Sequence, residues 1–485
     1  MPAAATAAAA MTVLAVVAQD HVPLRAGPSA TATANAQLWQ GELLEVRGRH
    51  QGQLQVYDHR LERGGYVRET EARVLGTGEA DAPQMLSVLR FLRDTPGSES
   101  LGIAYAAAYL KAAPADGIGA EVFDAIGTMA ERLARGTPIG KGKLDAVAAH
   151  MDVATQYGVK FITYANAGGT DRVQLCYDGD AFRRVLALSA ASGAGQATPT
   201  QRAHAVLALT RYECMDPAMP PKERKTVDQQ RADLLNMFNA QDLAQLDEST
   251  RNRLRLRRAG VWAAIAFDRS RFQEPPQSAA QRALDELAAV NKSEMSEEDA
   301  ADYTEAAIRI GAVRWAAATV ATTQGKLQVQ LQAGEPGQTC VHLVDAAAKN
   351  TPTLAQRCTY GTVWAASTTS RPDSRALALN VEALDGWTEL WVWHQETDGW
   401  KLDTVAPNSD GPGLGYVEWA GWSPASRGKL LIVREAKYNG KITRRFEVLR
   451  TDSLATVTAA NEPKKLHAFG LWADATWRAD TVSLR

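Results

Sequence analysis

Histidines stand at positions 21, 50, 59, 150, 204, 342, 394 and 467, and no two of them form an HxxxH or HxH pair. The common zinc-hydrolase spacings are therefore missing. No G-x-S-x-G elbow occurs either; Gly421-Trp422-Ser423-Pro424-Ala425 comes nearest, and its serine reads as a turn residue between strands. Gly136-Thr137-Pro138-Ile139-Gly140-Lys141 invites comparison with a phosphate-binding loop. It has one residue too few between its glycines and Gly142 where a hydroxyl is needed, so it is expected to be a helix-to-helix turn. Asp178-Gly179-Asp180 offers two acids without the rest of a calcium loop, and Asp180 is expected to cap the helix running through Phe182 to Leu188. These readings assign no catalytic residue, no metal site and no cofactor.

Arg251, Arg253, Arg255, Arg257 and Arg258 crowd one predicted helix. The expectation is an exposed face paired with acids such as Asp242, Asp247 and Glu248, rather than a site for an anionic polymer. Lys plus Arg number 53 against 55 Asp plus Glu, so a net charge of −2 supplies no global field for phosphate backbones, and nucleic acid is excluded as an expected partner. The four cysteines fall as two local pairs, Cys176 with Cys214 and Cys340 with Cys358, without CxxC spacing. Two disulfides in an oxidising compartment are expected, each stabilising by about 3 to 4 kcal/mol through loop closure.

Stacking chemistry is the remaining resource. Nine of the 12 tryptophans, at 364, 387, 391, 393, 400, 419, 422, 472 and 477, lie near the C-terminus, where core packing is the default for aromatic residues in sheets. Trp39, Tyr57 and Tyr66, in the N-terminal segment, are the candidate ligand-binding residues, able to stack on a sugar ring or grip a peptide.

Positioning these residues takes several modules. A length of 485 residues exceeds one hydrophobic core, and 45% hydrophobic with 22% charged residues is ordinary globular composition. Residues 1–12 are expected to be a leader or a truncated signal peptide; the first 18 residues, MPAAATAAAAMTVLAVVA, resemble the apolar core and cleavage zone of a secretory signal lacking its basic start. No stretch reaches the ~20 apolar residues of a membrane-spanning helix. Residues 13–78 alternate apolar and polar positions between Gly-rich breaks, the pattern of short half-buried strands in a small barrel. Residues 84–318 carry Ala, Leu and Arg at helical spacing, punctuated by Pro and Gly into eight or nine helices. One β-hairpin interrupts them, from Val159-Lys160-Phe161-Ile162-Thr163-Tyr164 through Asn166-Ala167-Gly168-Gly169 to Arg172-Val173-Gln174-Leu175-Cys176-Tyr177. A bridge from Cys176 to Cys214, at the end of a helix predicted over 199–213, would pin that hairpin to the helical body.

Residues 324–485 read as strands with an internal repeat. Trp364 and Trp419 are offset by 55; Leu377-Ala378-Leu379 and Leu431-Ile432-Val433, Asp385-Gly386 and Asn439-Gly440, and Thr397-Asp398 and Thr451-Asp452 are offset by 54.

Two of these segments resemble known families. Leu24-Arg25-Ala26-Gly27-Pro28-Ser29, the strand Gly41 to Val46 and Gly65-Tyr66-Val67 resemble the LR-x-x-PS, G-x-x-LEV and G-Y-V pieces of bacterial SH3-like domains, over about 60 residues. Trp419-Ala420-Gly421-Trp422-Ser423-Pro424 leading into Gly428 to Val433 resembles the β-propeller blades of the periplasmic Tol translocation component, with Ala425-Ser426-Arg427 replacing their D-G turn. Lys326 to Cys358 is then a further blade and Phe469 to Arg485 a half blade. The fold class expected is multidomain α+β: a small SH3-like β-barrel, a helical-array middle with a hairpin insertion, and propeller-like antiparallel β-repeats.

The SH3-like resemblance implies binding to cell-wall peptides or partner proteins. The expected function is that of an exported, non-catalytic binding or scaffolding protein of the bacterial envelope, periplasmic or secreted, contacting peptidoglycan or an envelope protein. The alternatives are a cell-wall hydrolase with a dispersed active site in the helical domain, and a structural protein using the helical array as a concave docking surface.

Overall fold

The computed structural model describes residues 13–76, 78–136, 144–165, 173–190, 195–318, 326–409, 411–424 and 428–484. The leader, residues 137–141 of the loop compared with a phosphate-binding motif, the hairpin turn 166–169 and the turn Ala425-Ser426-Arg427 lie outside them. The architecture is mixed α+β, with an N-terminal antiparallel sheet, a helical middle and C-terminal antiparallel strands. The chain divides into two compact units, Met1–Met219 and Pro220–Arg485, so the helical stretch is shared between them.

In the first unit, the alternating segment forms β1 (Val13–Val17), β2 (Val22–Arg25), β3 (Ala34–Leu38), β4 (Leu43–His50), β5 (Gln53–Asp58), β6 (Arg63–Arg68) and β7 (Ala72–Leu75). They make one seven-stranded sheet in the order β3-β2-β6-β5-β4-β1-β7, every neighbour antiparallel. One face buries Ala15, Val17, Leu24, Leu44, Leu54, Val56 and Val67 as its own core. Within this order β3 and β7 are the two ends, so the described strands show no closed barrel.

Six helices and a hairpin follow: α1 (Ala82–Arg93), α2 (Glu99–Ala112), α3 (Ala120–Arg135), α4 (Leu144–Gln156), β8 (Phe161–Ala165), β9 (Val173–Tyr177), α5 (Asp180–Ala187) and α6 (Pro199–Leu209). In α3, Val122, Ala125, Met129 and Leu133 recur at helical spacing and pack on Leu89 of α1 and Ile103 of α2. Thr198 and Gln201 close a reciprocal capping box at the start of α6, with Pro199 in the first turn. The helix predicted to 213 stops at Leu209, and a short 3₁₀ turn, Tyr212–Cys214, presents Cys214 to Cys176 on β9. Asp180 proves to be the first residue of α5 and not its cap: left-handed Gly179 holds the cap position, and Asp178 Oδ1 accepts the Asp180 amide at 3.0 Å.

The second unit begins with α7 (Pro221–Asn236), α8 (Ala240–Ala244), α9 (Glu248–Arg271), α10 (Gln277–Ala288) and α11 (Glu297–Val313). A three-stranded sheet of β10 (Leu327–Ala333), β11 (Thr339–Asp345) and β12 (Thr353–Thr359) follows, and Cys340 and Cys358 bridge directly across β11 and β12. The larger sheet holds β13 (Thr362–Ser370), β14 (Ala376–Leu384), β15 (Trp387–Glu396), β16 (Gly399–Val405), β17 (Leu414–Trp422), β18 (Lys429–Tyr438), β19 (Lys441–Arg450) and β20 (Thr456–Ala460).

The 54-residue offset maps onto this sheet as two successive four-stranded meanders, β13–β16 and β17–β20. Asp385-Gly386 turns β14 into β15 where Asn439-Gly440 turns β18 into β19, and Thr397-Asp398 and Thr451-Asp452 occupy the next turn of each copy. Asn439 and Gly440 both have positive φ, 50° and 76°, the conformation of a two-residue turn matching strand twist. A short parallel step, Trp387 and Thr388 against Gly415 and Tyr416, joins the copies into one continuous open sheet. The described strands thus show neither separate blades nor a closed propeller.

The half blade expected over Phe469 to Arg485 is helical instead, as α12 (His467–Trp472) and α13 (Ala475–Asp480). Asp474 Oδ1 accepts the Trp477 amide at 3.0 Å and starts α13, while Phe469 and Trp477 pack on Leu431, Val433, Phe446 and Val448. Gly421 makes that approach possible, since a Cβ there would lie 2.1 Å from the Trp472 carbonyl oxygen. Trp364, Trp387, Trp391, Trp393 and Trp477 are buried, and none of the other four C-terminal tryptophans is exposed.

Candidate functional site

Register decides which of the three N-terminal aromatics share a surface. Glu45 pairs with Tyr57 and Gln55 with Tyr66, so both tyrosines rise from the face of β4–β6 opposite the core. Both rings are half-buried. The Arg47 guanidinium lies 3.8 Å from the centre of the Tyr57 ring, the His59 ring meets Tyr57 edge-on at 5.0 Å, and His50 meets Tyr66 edge-on at 6.0 Å. Glu45 anchors the arrangement, with His59 Nε2 at 2.7 Å and Arg47 Nε at 3.0 Å from one carboxylate oxygen. Those two contacts, His59 first, hold its carboxyl below the usual carboxylate range. Ring faces beside the exposed Arg47 guanidinium can stack on a planar group and hold a carboxylate next to it.

Trp39 does not join them. It follows β3, with its ring 4.5 Å from that of His21 and 6.4 Å from that of His150 on α4. His21 sits in the left-handed region at φ 61°, and His150 Nε2 lies 2.7 Å from Asp20 Oδ1. The chain from Trp39 to Glu42 is clasped by helices. The Gln40 amide donates to Asp20, the Tyr157 hydroxyl donates to the Gly41 carbonyl at 2.6 Å, and Gly41 at φ 89° lies so close that a Cβ would meet the Ser100 carbonyl oxygen at 2.6 Å. Glu42 is buried with Arg63 and Arg60 at 3.6 and 3.7 Å, and Arg60 continues to Asp152 on α4 at 2.7 Å. Burial pushes the Glu42 carboxyl up to about 7, against the pull of the two arginines and with Asp58 adding to the rise.

Trp39 therefore lies at a seam that docks α2 and α4 on the sheet, apart from Tyr57 and Tyr66, and like them it is half-buried. Asp20, His21, Glu42 and His150 were not legible as partners, because His150 meets Asp20 across 130 residues without any motif. An apolar cavity of about 40 Å³ lies beside this seam, among Leu14, Leu43, Leu75, Ala104 and Tyr157. Small-molecule sites run to about 300–1,000 Å³, so it is a packing gap.

The arginine-rich stretch of α9 is an exposed face only in part, with Arg253 exposed and Arg258 buried, which corrects that expectation. Arg251 does pair with Glu248 at 3.1 Å, but Arg253 reaches Asp299 on α11 at 2.6 Å and Arg255 donates to the Ala289 carbonyl. Arg258 is buried, donating to the Leu235 and Phe238 carbonyls at 2.8 and 2.6 Å and facing Glu286 at 3.4 Å. These side chains fasten neighbouring helices, using stems that pack and heads that bond. Both cysteine pairs are disulfides, Cys176–Cys214 and Cys340–Cys358. Among the described residues no group of three or more His, Cys, Asp or Glu is arranged to hold a metal ion, and no helix is long and apolar enough to cross a membrane. No family model, curated protein or solved structure matches the chain.

Proposed function

We propose that this chain is an exported, non-catalytic binding or scaffolding protein of the bacterial envelope, whose N-terminal sheet is an SH3-like module that holds peptidoglycan peptide on the Tyr57–Tyr66 face. The observation that carries the reading is the pair of half-exposed rings on one strand face with Arg47, His50 and His59 against them. Cell-wall peptides present carboxylates next to apolar side chains, the combination such a face suits. Two disulfides fit a secreted or periplasmic protein. In this reading the C-terminal meanders are propeller-blade-like repeats that extend the scaffold.

The test is co-sedimentation of the full chain with purified sacculi, wild type against the double variant Tyr57→Ala and Tyr66→Ala. Ring contacts of roughly 0.5–1.5 kcal/mol each predict a loss of about tenfold in affinity for the double variant. Wild-type protein that stays in the supernatant, or a double variant that pellets equally well, refutes the site; retention by an envelope protein instead of sacculi would move the partner to that class.

A further inference from the structure

Four acidic side chains converge inside the second unit, away from the tyrosine face. Asp228 comes from α7, Asp268 from α9, and Glu382 and Asp385 from the hairpin of β14 and β15. Asp228 is 1% exposed, Asp268 4% and Glu382 0%. Arginines on α7, α9 and α11 are their counter-charges. Arg231 pairs with Asp228 along α7, and Arg224 lies 3.8 Å from Asp385. The remaining charged group near Asp268 is Arg271, on its own helix. On α10 and α11, Glu286 faces Arg258 and Asp299 faces Arg253, while Arg309 of α11 pairs with Glu305 and also reaches the Gly386 turn beside Asp385.

A second observation comes from the neighbouring strand. Trp364 of β13 is 4% exposed, and its indole N–H lies against Glu382, where it offsets part of that carboxyl's rise, although its geometry falls short of a full hydrogen bond. One oxygen each of Asp228, Asp268 and Glu382 is likewise buried without a donor. Glu382 has only the Gly386 amide, at 2.9 Å on its other oxygen. Buried donors and acceptors left open cost free energy, and several ionised carboxylates in one dry seam repel each other. The smallest ligand that relieves the repulsion is a proton: a protonated carboxyl loses its charge and turns one open acceptor into an O–H donor.

We propose that these acids make the seam between α7, α9 and the β14–β15 hairpin a proton-operated joint, closed while a proton taken from water is shared among them and loosened when it is released. Burial first, then Asp228 and Asp385, pushes the Asp268 carboxyl up to about 7, and burial raises Asp228 and Glu382 as well. The sign follows from linkage. A carboxyl raised in the folded state stabilises the joint below its ordinary value near 4, and that stabilisation is lost as pH rises through about 7. For one such group, raising the pH from 5 to 7 multiplies the opening equilibrium by roughly fifty.

The test is hydrogen exchange on the full chain from pH 5 to 8, corrected for intrinsic rates and read at residues 221–236 and 376–396. Infrared difference spectra over the same range read the carbonyl stretch of a protonated carboxylic acid. Wild-type protein should open progressively toward pH 8 while that stretch disappears. In Asp268→Asn the pH dependence of opening should be largely removed, and Glu382→Gln provides the same comparison if the first variant fails to fold. Exchange that does not change with pH in the wild type, no titrating acid band, or a pH response undiminished in a folded variant overturns the proposal.

Discussion

Replacing Arg314 with methionine should destabilise the second unit by about 3–5 kcal/mol, because it strips both guanidinium donors from one oxygen of a carboxylate that has no access to water. Glu418, on β17, is 0% exposed. Its Oε2 faces Arg314 Nη2 at 2.8 Å and Nε at 3.0 Å, at the end of α11. Its Oε1 accepts from Trp477 Nε1 at 2.9 Å, from Ser483 Oγ at 2.9 Å and from Thr481 Oγ1. One carboxylate thus ties α11, the central sheet and the C-terminal segment together. Removing Arg314 leaves a buried charge held from one side, whereas removing Thr481 Oγ1 alone should cost about 1.5–3 kcal/mol, the range for a hydrogen bond to a charged group. Urea unfolding followed by tryptophan fluorescence suits the measurement, since every tryptophan but Trp39 lies in residues 220–485. The companion variant is Arg314→Met with Glu418→Met. If burial of an unpaired charge is the cause, the double variant is more stable than Arg314→Met alone. A loss below about 1 kcal/mol for the single variant, or a double variant weaker than either single, would refute the reasoning.

Glu42→Gln should flatten the pH dependence of the first unit: a carboxyl raised from 4.5 to about 7 contributes about 3 kcal/mol that is present at pH 4 and gone by pH 8, and hydrogen exchange in β4–β6 should show this loss in the wild type only. An equal decline in the variant would assign the effect elsewhere. Replacing Cys176 and Cys214 by alanine should lower stability by about 4 kcal/mol, and the same change at Cys340 and Cys358 by about 3 kcal/mol, from closed loops of 38 and 18 residues. Denaturant midpoints that do not move with a dithiol reductant would contradict both.

How much of this was visible in the chain depended on how local the cause was. Strand alternation, the Asp-Gly and Asn-Gly turns and the 54-residue offset are written in neighbouring residues, and they fall on the strands and turns of two meanders. Pairing partners nearby in sequence was equally tractable, so the hairpin of β8 and β9 and its bridge to Cys214 could be anticipated. The half blade expected over Phe469 to Arg485 gives way to helix because the deciding signal, Asp474 three residues before Trp477, is a capping pattern and not an alternation. Charge was the least legible. A run of arginines looks the same whether it faces water or, like Arg258, caps the carbonyls of a neighbouring helix, and only long-range packing separates the two.

The same dependence on distant partners sorts the buried acids by what they can do. Glu418 receives bonds from four side chains and serves as a latch. Glu42 has two arginines beyond hydrogen-bond length and an oxygen without a donor, and Asp268 has an oxygen without a donor and neighbouring acids. A buried carboxylate with enough donors fastens elements; one without them, such as Asp268 or Glu42, is pushed toward holding a proton into the neutral range. Adding a donor should therefore convert one kind into the other. A lysine or arginine introduced within reach of Asp268 is expected to lower its protonation at neutral pH and make the β14–β15 hairpin indifferent to pH between 5 and 8, while leaving the response governed by Glu42 in place.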